Sequence, residues 1–186
     1  MTDRTYFDRL YEGSADPWDL ARRRYEQRKY ELTVASLPRE RYARAFEPGC
    51  SVGLLTRLLT QRCDEVVASD VVERPLALAA RRAPAATFRL GGVPGDWPPG
   101  RFDLVVLSEL LYYLPAHERA ATLARAKESL DPAGHLVAVH WRHPFEEAEC
   151  DGDEAHAEIR DDPDWALVVQ HVETDFRLEV LARATS

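Results

Sequence analysis

The chain has 186 residues, 45% of them apolar and 30% charged, with a formal net charge of −8; that size suits one self-sufficient domain, residues 1–186, without disulfides or metals to hold it together. The acidic balance argues against a general nucleic-acid binder, which needs a basic stripe against phosphates. Three cysteines, Cys50, Cys63 and Cys150, with no CxxC spacing, argue against a disulfide framework or a zinc site.

Residues 1–20 carry Asp3, Asp8, Glu12, Asp16 and Asp19, unlike a signal peptide, and no apolar run approaches the ~18 residues of a membrane span. A cytoplasmic protein without a membrane partner is expected. Residues 6–37 read as helical and 1–38 as an N-terminal cap. Asp16-Pro17-Trp18 is a turn, Pro17 can start a helix running to Ser36, and Pro38 ends it. The basic cluster Arg22, Arg23, Arg24, Arg28 and Lys29 reads as a solvated helix face.

From there strands and helices alternate. Strands are expected at 44–47, 65–70, 87–90, 102–108 and 135–141, and helices at 54–62, 73–83, 115–130 and 153–161. The run FDLVVLS, continuous and β-branched, is the strongest strand signal. Segments 165–172 and 176–182 read as a closing antiparallel hairpin. Alternation of this kind makes βαβ units around a parallel sheet, which binds ligands at the carboxyl ends of its strands.

The residues after each strand therefore carry the functional reading. The first strand ends in EPGCSVG. Gly49 permits a tight turn and close ligand approach, and Gly53 lets the following helix pack closely. The middle glycine of a dinucleotide fingerprint is missing, and Glu47 stands where a pyrophosphate would bring more negative charge. A ligand with a cationic near end, such as S-adenosylmethionine (SAM), fits better. Asp70, 17 residues beyond Gly53, can accept bonds from both ribose hydroxyls, or else cap a helix. Asp96 and Trp97 can bracket an adenine, or else form a surface turn over a core tryptophan. SELLYYL follows the fourth strand as a polar floor. Tyr112 and Tyr113 lack the lysine four residues on that a short-chain dehydrogenase needs, and no Walker A loop is present.

EPGCSVG, VVASD, PGDWP, FDLVVLSELLYYL and HLVAVHWRHP together resemble the class I SAM-dependent methyltransferases. With SADPWD and RRRYEQRKYELTVASLP the chain is similar, over nearly its whole length, to the nodulation protein S (NodS) family of small N-methyltransferases. The resemblance implies a Rossmann-like three-layer α/β sandwich. Its seven-stranded, mostly parallel sheet would have a reversed last strand, with N-terminal helices added. It implies SAM as cofactor and, in the founding members, methylation of a sugar amine on a chitooligosaccharide. Ser51 departs from the class, where many members have glycine. Carried over by position, Glu47, Gly49 and Gly53 form the methionine-side loop, Asp70 holds the ribose, Asp96 and Trp97 bracket the adenine, and Ser108 lies under the sulfonium end. Trp18 and Arg28 close over the cofactor, Arg28 on its carboxylate, although Trp18 can equally be a packing residue.

Methyl transfer is an in-line displacement that mainly requires alignment. An amine acceptor must also lose a proton, for which Glu109, Tyr112 and His140 are candidates and Glu109 the first choice. The acidic run Glu146, Glu147, Glu149, Asp151, Asp153 and Glu154 reads first as a solvated loop with a helix cap, and otherwise as a mouth attracting a cationic amine or amino sugar. A metal-dependent site would need a second acid set where His140 and Trp141 stand, so no metal is expected. O-methylation of a small hydroxylated metabolite, and a non-catalytic SAM-binding regulator or partner subunit, stay open as alternatives.

Overall fold

A computed structural model describes residues 4–184. Two helices open the chain, α1 (Arg4–Gly13) and α2 (Arg24–Ala35). Then follow β1 (Tyr42–Pro48), α3 (Leu54–Leu59), β2 (Cys63–Asp70), α4 (Glu73–Arg82), β3 (Thr87–Leu90) and β4 (Phe102–Ser108). A 3-10 turn (Leu111–Tyr113) leads to α5 (Ala116–Ser129), β5 (Leu130–Trp141), α6 (Gly152–Arg160), β6 (Trp165–Val172) and β7 (Phe176–Arg183).

The seven strands form one sheet in the order β3-β2-β1-β4-β5-β7-β6. β7 runs antiparallel to both neighbours, and the other strands are parallel to one another. The order reverses between β1 and β4, so a crevice opens beyond their carboxyl ends, where an α/β sheet binds its ligand.

The β4 sequence explains the three layers. Val105 and Leu107 face one cluster with Leu123 and Ala126 of α5 and Ala155 and Ile159 of α6. Leu104 and Val106 face the opposite cluster with Tyr30 of α2 and Leu55 and Leu59 of α3. A strand buried on both faces reads as an unbroken apolar run, and this one does.

Three features differ from expectation. The N-terminal helix does not begin at Pro17: the Asp16 carboxylate accepts the backbone N–H groups of Leu20 and Ala21, so the turn continues and α2 starts at Arg24. Lys29 of α2 is not on a solvated face but is 2% exposed. Leu130 already pairs with Phe102, so β5 starts before Asp131-Pro132, and the shift between Phe102 and Leu104 absorbs the Pro-Gly segment as an irregularity rather than a turn. Among the described residues no helix is long and apolar enough to cross a membrane.

Candidate active site

A cavity of about 830 Å³ lies over the carboxyl ends of β1, β2, β4 and β5 and beneath the N-terminal helices. Its near half is built by the turn after β1. Gly49 has φ +73°, a left-handed conformation that suits glycine, and a Cβ there would press on Leu110. Ser51 is also left-handed, at φ 48°. It is held there because its N–H donates to Asp70 at 2.9 Å and its hydroxyl meets that of Tyr11 at 2.5 Å. Backbone strain of this kind persists where surrounding bonds fix it.

Two acids face this half. Glu47 is 3% exposed and its Oε2 has no hydrogen-bond partner. Burial pushes its carboxyl up to about 8, against a lowering contribution from Thr56 and a further push from Asp70. Asp70 accepts Ser51 N–H and Val72 N–H, one on each oxygen. Burial raises it to about 6, and those backbone donors limit the rise.

The far half centres on Glu109, the first residue past β4 and again left-handed at φ 53°. Its Oε1 takes a charge-assisted bond from the Lys29 ammonium; its Oε2 takes the Tyr112 hydroxyl and the Trp141 N–H at 3.0 Å. Lys29 also pairs with Glu26 at 2.8 Å and lies 5.0 Å from the Tyr25 ring centre. Burial alone would lower the Lys29 ammonium, but Glu109 and Glu26 outweigh it and keep it charged. The Tyr112 phenol is raised well above its usual value by burial and by Glu109, so it stays neutral.

The sequence-predicted residues divide. Trp18, Glu47, Gly49, Asp70, Ser108, Glu109 and Tyr112 all line the cavity, and Trp18 packs edge-on against Tyr11, uniting its two readings. Five others do not line it. Arg28 turns outward and bonds Glu173 with two nitrogens, at 2.8 and 2.6 Å; Arg23 is the α2-side arginine that reaches the cavity. Trp97 is a core residue, edge-on to Phe46 at 4.8 Å with its indole N–H on Ser129. Asp96 accepts Gly92 N–H and braces the loop whose Gly91, Gly92 and Val93 form the wall. Gly53, at φ +75°, sits against α4, and a Cβ there would lie 2.8 Å from Ala79.

His140 is the fifth, and its position corrects its candidacy as a base. It is fully buried, and its Nε2 already accepts Leu111 N–H at 3.1 Å. The proton must then sit on Nδ1, which faces His156 Nε2 at 3.1 Å; His156 in turn donates from Nδ1 to Glu179 at 2.7 Å. Burial and the His156 neighbour hold His140 well below its usual value. His140 therefore fixes the turn that carries Tyr112 and has no lone pair free for a substrate.

The acidic run after β5 also separates. Asp151 caps α6 in a reciprocal capping box with Glu154, and Asp153 pairs with Arg142 and Arg177. Glu147 lines the cavity. Glu26, Lys29, Tyr25, Tyr11 and Ser51 were not singled out from the sequence as site residues. The spacing of Glu26, Lys29, Tyr30 and Thr33 on one face of α2 carried a signal, because all four are buried.

Residues 45–134 match the family model described as a methyltransferase domain. A Pseudomonas syringae chain of known structure, assigned as a methyltransferase, is 39% identical, with a TM-score of 0.76 over 87% of this chain and 100% of that one. The chain belongs to the class I SAM-dependent methyltransferases. Within that family it is similar to nodulation protein S of Rhizobium tropici, at 32% identity over 127 residues, 66% of this chain and 53% of that protein. The methyltransferase thus spans about half the length of that curated relative. The fold also matches the N-methyltransferase NodS of Bradyrhizobium japonicum WM9 in complex with S-adenosylhomocysteine (SAH). There the TM-score is 0.82 at 23% identity, over 98% of this chain and 100% of that one.

Proposed function

We propose that this methyltransferase carries a methyl group from SAM to the nitrogen of a small amine. The observation that carries the reading is the charge of the cavity wall. Among the described residues seven acidic side chains line it against two cations, Arg23 and Lys29, an excess of acids that remains when Glu47 is left out as neutral, and ten aromatic rings fill the surface between them. A wall of that make-up favours a cation with an apolar body, through Coulomb attraction and ring faces alike. The likeness to NodS, an N-methyltransferase by name, points the same way.

The near half fits SAM on its own chemistry. Glu47 offers a buried, unpartnered oxygen suited to an ammonium. Asp70 keeps a lone pair on each oxygen after its two backbone bonds, which suits the two hydroxyls of a ribose. Gly91, Gly92 and Val93 would border the adenine, and Ser108 the sulfonium. When bound, SAM supplies a methyl carbon made electrophilic by its positively charged sulfur. The chain's own contribution is to orient the acceptor in line, exclude water with the aromatic wall, and accept a proton on a carboxylate.

Turnover of labelled SAM against a panel of primary and secondary amines, phenols and sugar hydroxyls tests the reading. SAH release with amines alone is the expected result. Release only with hydroxyl acceptors, or SAM binding without any turnover, would overturn it.

A further inference from the structure

Among the described residues, two buried side-chain atoms without a hydrogen-bond or ion-pair partner belong to residues lining the cavity: Glu47 Oε2 and Tyr25 Oη. A buried polar atom left unpaired costs roughly 1–3 kcal/mol, so such a group at a cavity wall marks where a ligand completes the bonding. Glu47 is assigned above to the cofactor ammonium. Tyr25 stands at the start of α2 on the acceptor side, packed on Trp141 at the end of β5, and its neighbour Glu26 lines the cavity and is held by the same ammonium that holds Glu109.

The two carboxylates on Lys29 are not equivalent. Glu109 takes bonds from an ammonium, a hydroxyl and a backbone N–H. A carboxylate so engaged has few lone pairs left for a further donor. Glu26 has the Lys29 ion pair and no hydroxyl or backbone donor at Oε2. One ammonium between two carboxylates also leaves one negative charge uncompensated beside the nearly buried Lys29 and Glu26, an attraction for one further cation.

We propose that Glu26 receives the ammonium of the acceptor and takes its proton, with the Tyr25 hydroxyl completing the cradle and Glu109 serving to hold Lys29 in place. The inference rests on the amine reading above. An acceptor R–NH3+ gives one proton to Glu26, leaving R–NH2 and a carboxylic acid. The nitrogen lone pair then forms the C–N bond as the methyl carbon's bond to sulfur breaks, its electron pair staying on sulfur. The products are R–NH2–CH3+ and neutral SAH, and Glu26 returns its proton to solvent.

The test uses the full chain, Glu26→Gln, Tyr25→Phe and Glu109→Gln, with SAH affinity by calorimetry and initial rates on an accepted amine from about pH 6 to about pH 10. Glu26→Gln should keep SAH affinity within about twofold and lose roughly 10²–10⁴-fold in turnover at neutral pH. The loss should shrink as pH passes the amine's own pKa. Tyr25→Phe should raise KM about tenfold with little change in kcat, the loss of one hydrogen bond. Glu109→Gln should lower the rate evenly without moving the pH profile. Wild-type rate and profile in Glu26→Gln, a parallel loss of SAH affinity, or a profile shift in Glu109→Gln instead would each overturn the assignment. If Glu26→Gln melts early, Tyr25→Phe decides, and an unchanged KM overturns the cradle. A wild type that binds SAH but methylates no amine removes the amine reading, and this inference with it; a wild type that does methylate leaves the variants to judge Glu26 alone.

Discussion

The near half of the cavity makes a prediction about protons. Glu47 is raised to about 8 by burial, so at pH 7 about nine in ten molecules carry it neutral, and ionising it costs about 1.4 kcal/mol. The ammonium of SAM needs the carboxylate. Binding at pH 7 should therefore expel about 0.9 proton, and affinity should rise roughly tenfold per pH unit below 8 and level off above it. The sign for stability is the reverse. The folded protein holds this proton where the unfolded chain does not, so unliganded stability falls as pH rises from the ordinary glutamate range toward 8. Glu47→Gln should remove both dependences and bind SAM more weakly throughout. Calorimetry in buffers of different ionisation enthalpy counts the proton. Comparing wild type and variant at each pH cancels the titration of SAM's own amine. Equal pH dependence in both proteins, with no proton released, would refute the placement of the ammonium at Glu47.

Asp70→Ala should weaken SAM binding by roughly 1–3 kcal/mol with the fold retained; unchanged affinity with a lower melting temperature would make Asp70 only a brace for Ser51 and Val72. Gly53→Ala should destabilise the fold by roughly 1–3 kcal/mol, read as a drop in melting temperature, because the new Cβ would lie 2.8 Å from Ala79 in a left-handed turn. The buried chain from His140 to Glu179 should make the protein acid-sensitive in two stages. His140 and His156 are both lowered, burial leading, so their contribution is complete above the ordinary histidine range and is lost as pH falls below it. Glu179, held at about 2 against burial by His156, Gln170 and Arg160, loses its contribution between the ordinary glutamate range and that value. Glu179→Gln should abolish the second stage and cost several kcal/mol, on the order of the 3–5 kcal/mol for breaking a buried pair; an unchanged acid melting curve would contradict this.

The sheet was legible in the sequence because its signals are local. FDLVVLS is apolar throughout since β4 is covered on both faces, and 87–90, 102–108 and 165–172 fall on the observed strand limits. The residues at strand ends, Glu47, Gly49, Asp70, Ser108 and Glu109, were legible for the same reason: once a strand is placed, its next residue must face the crevice. Trp97 and Asp96 take the second of the two readings the sequence left open, a surface turn over a core tryptophan, because a loop of prolines and glycines gives no direction to its side chains. Trp97 turns into the core edge-on to Phe46 and is left only 8% exposed.

Lys29 shows what a local reading misses. In sequence it is the last cation of a basic cluster, and such clusters are normally solvated. Burying an ammonium is costly unless it is paired and hydrogen-bonded. Its partners are Glu26, three residues back on the same helix, and Glu109, 80 positions away past the far end of β4. Only the folded sheet brings the second partner within reach. The same contact divides the site between two parts of the chain. On the proposed reading, strand-end turns supply Glu47 and Asp70 on the cofactor side, whereas α1 and α2 supply Tyr6, Phe7, Tyr25 and Glu26 on the acceptor side. If the acceptor is the proposed amine, substitutions in α2 should thus alter which amine is accepted while leaving SAH binding intact. Exchange of the Tyr25-Glu26 pair for its counterpart in a relative of different acceptor range measures that separation directly. If affinity for SAH fell in step with turnover, the two halves would be one site, and the division drawn at Lys29 would be wrong.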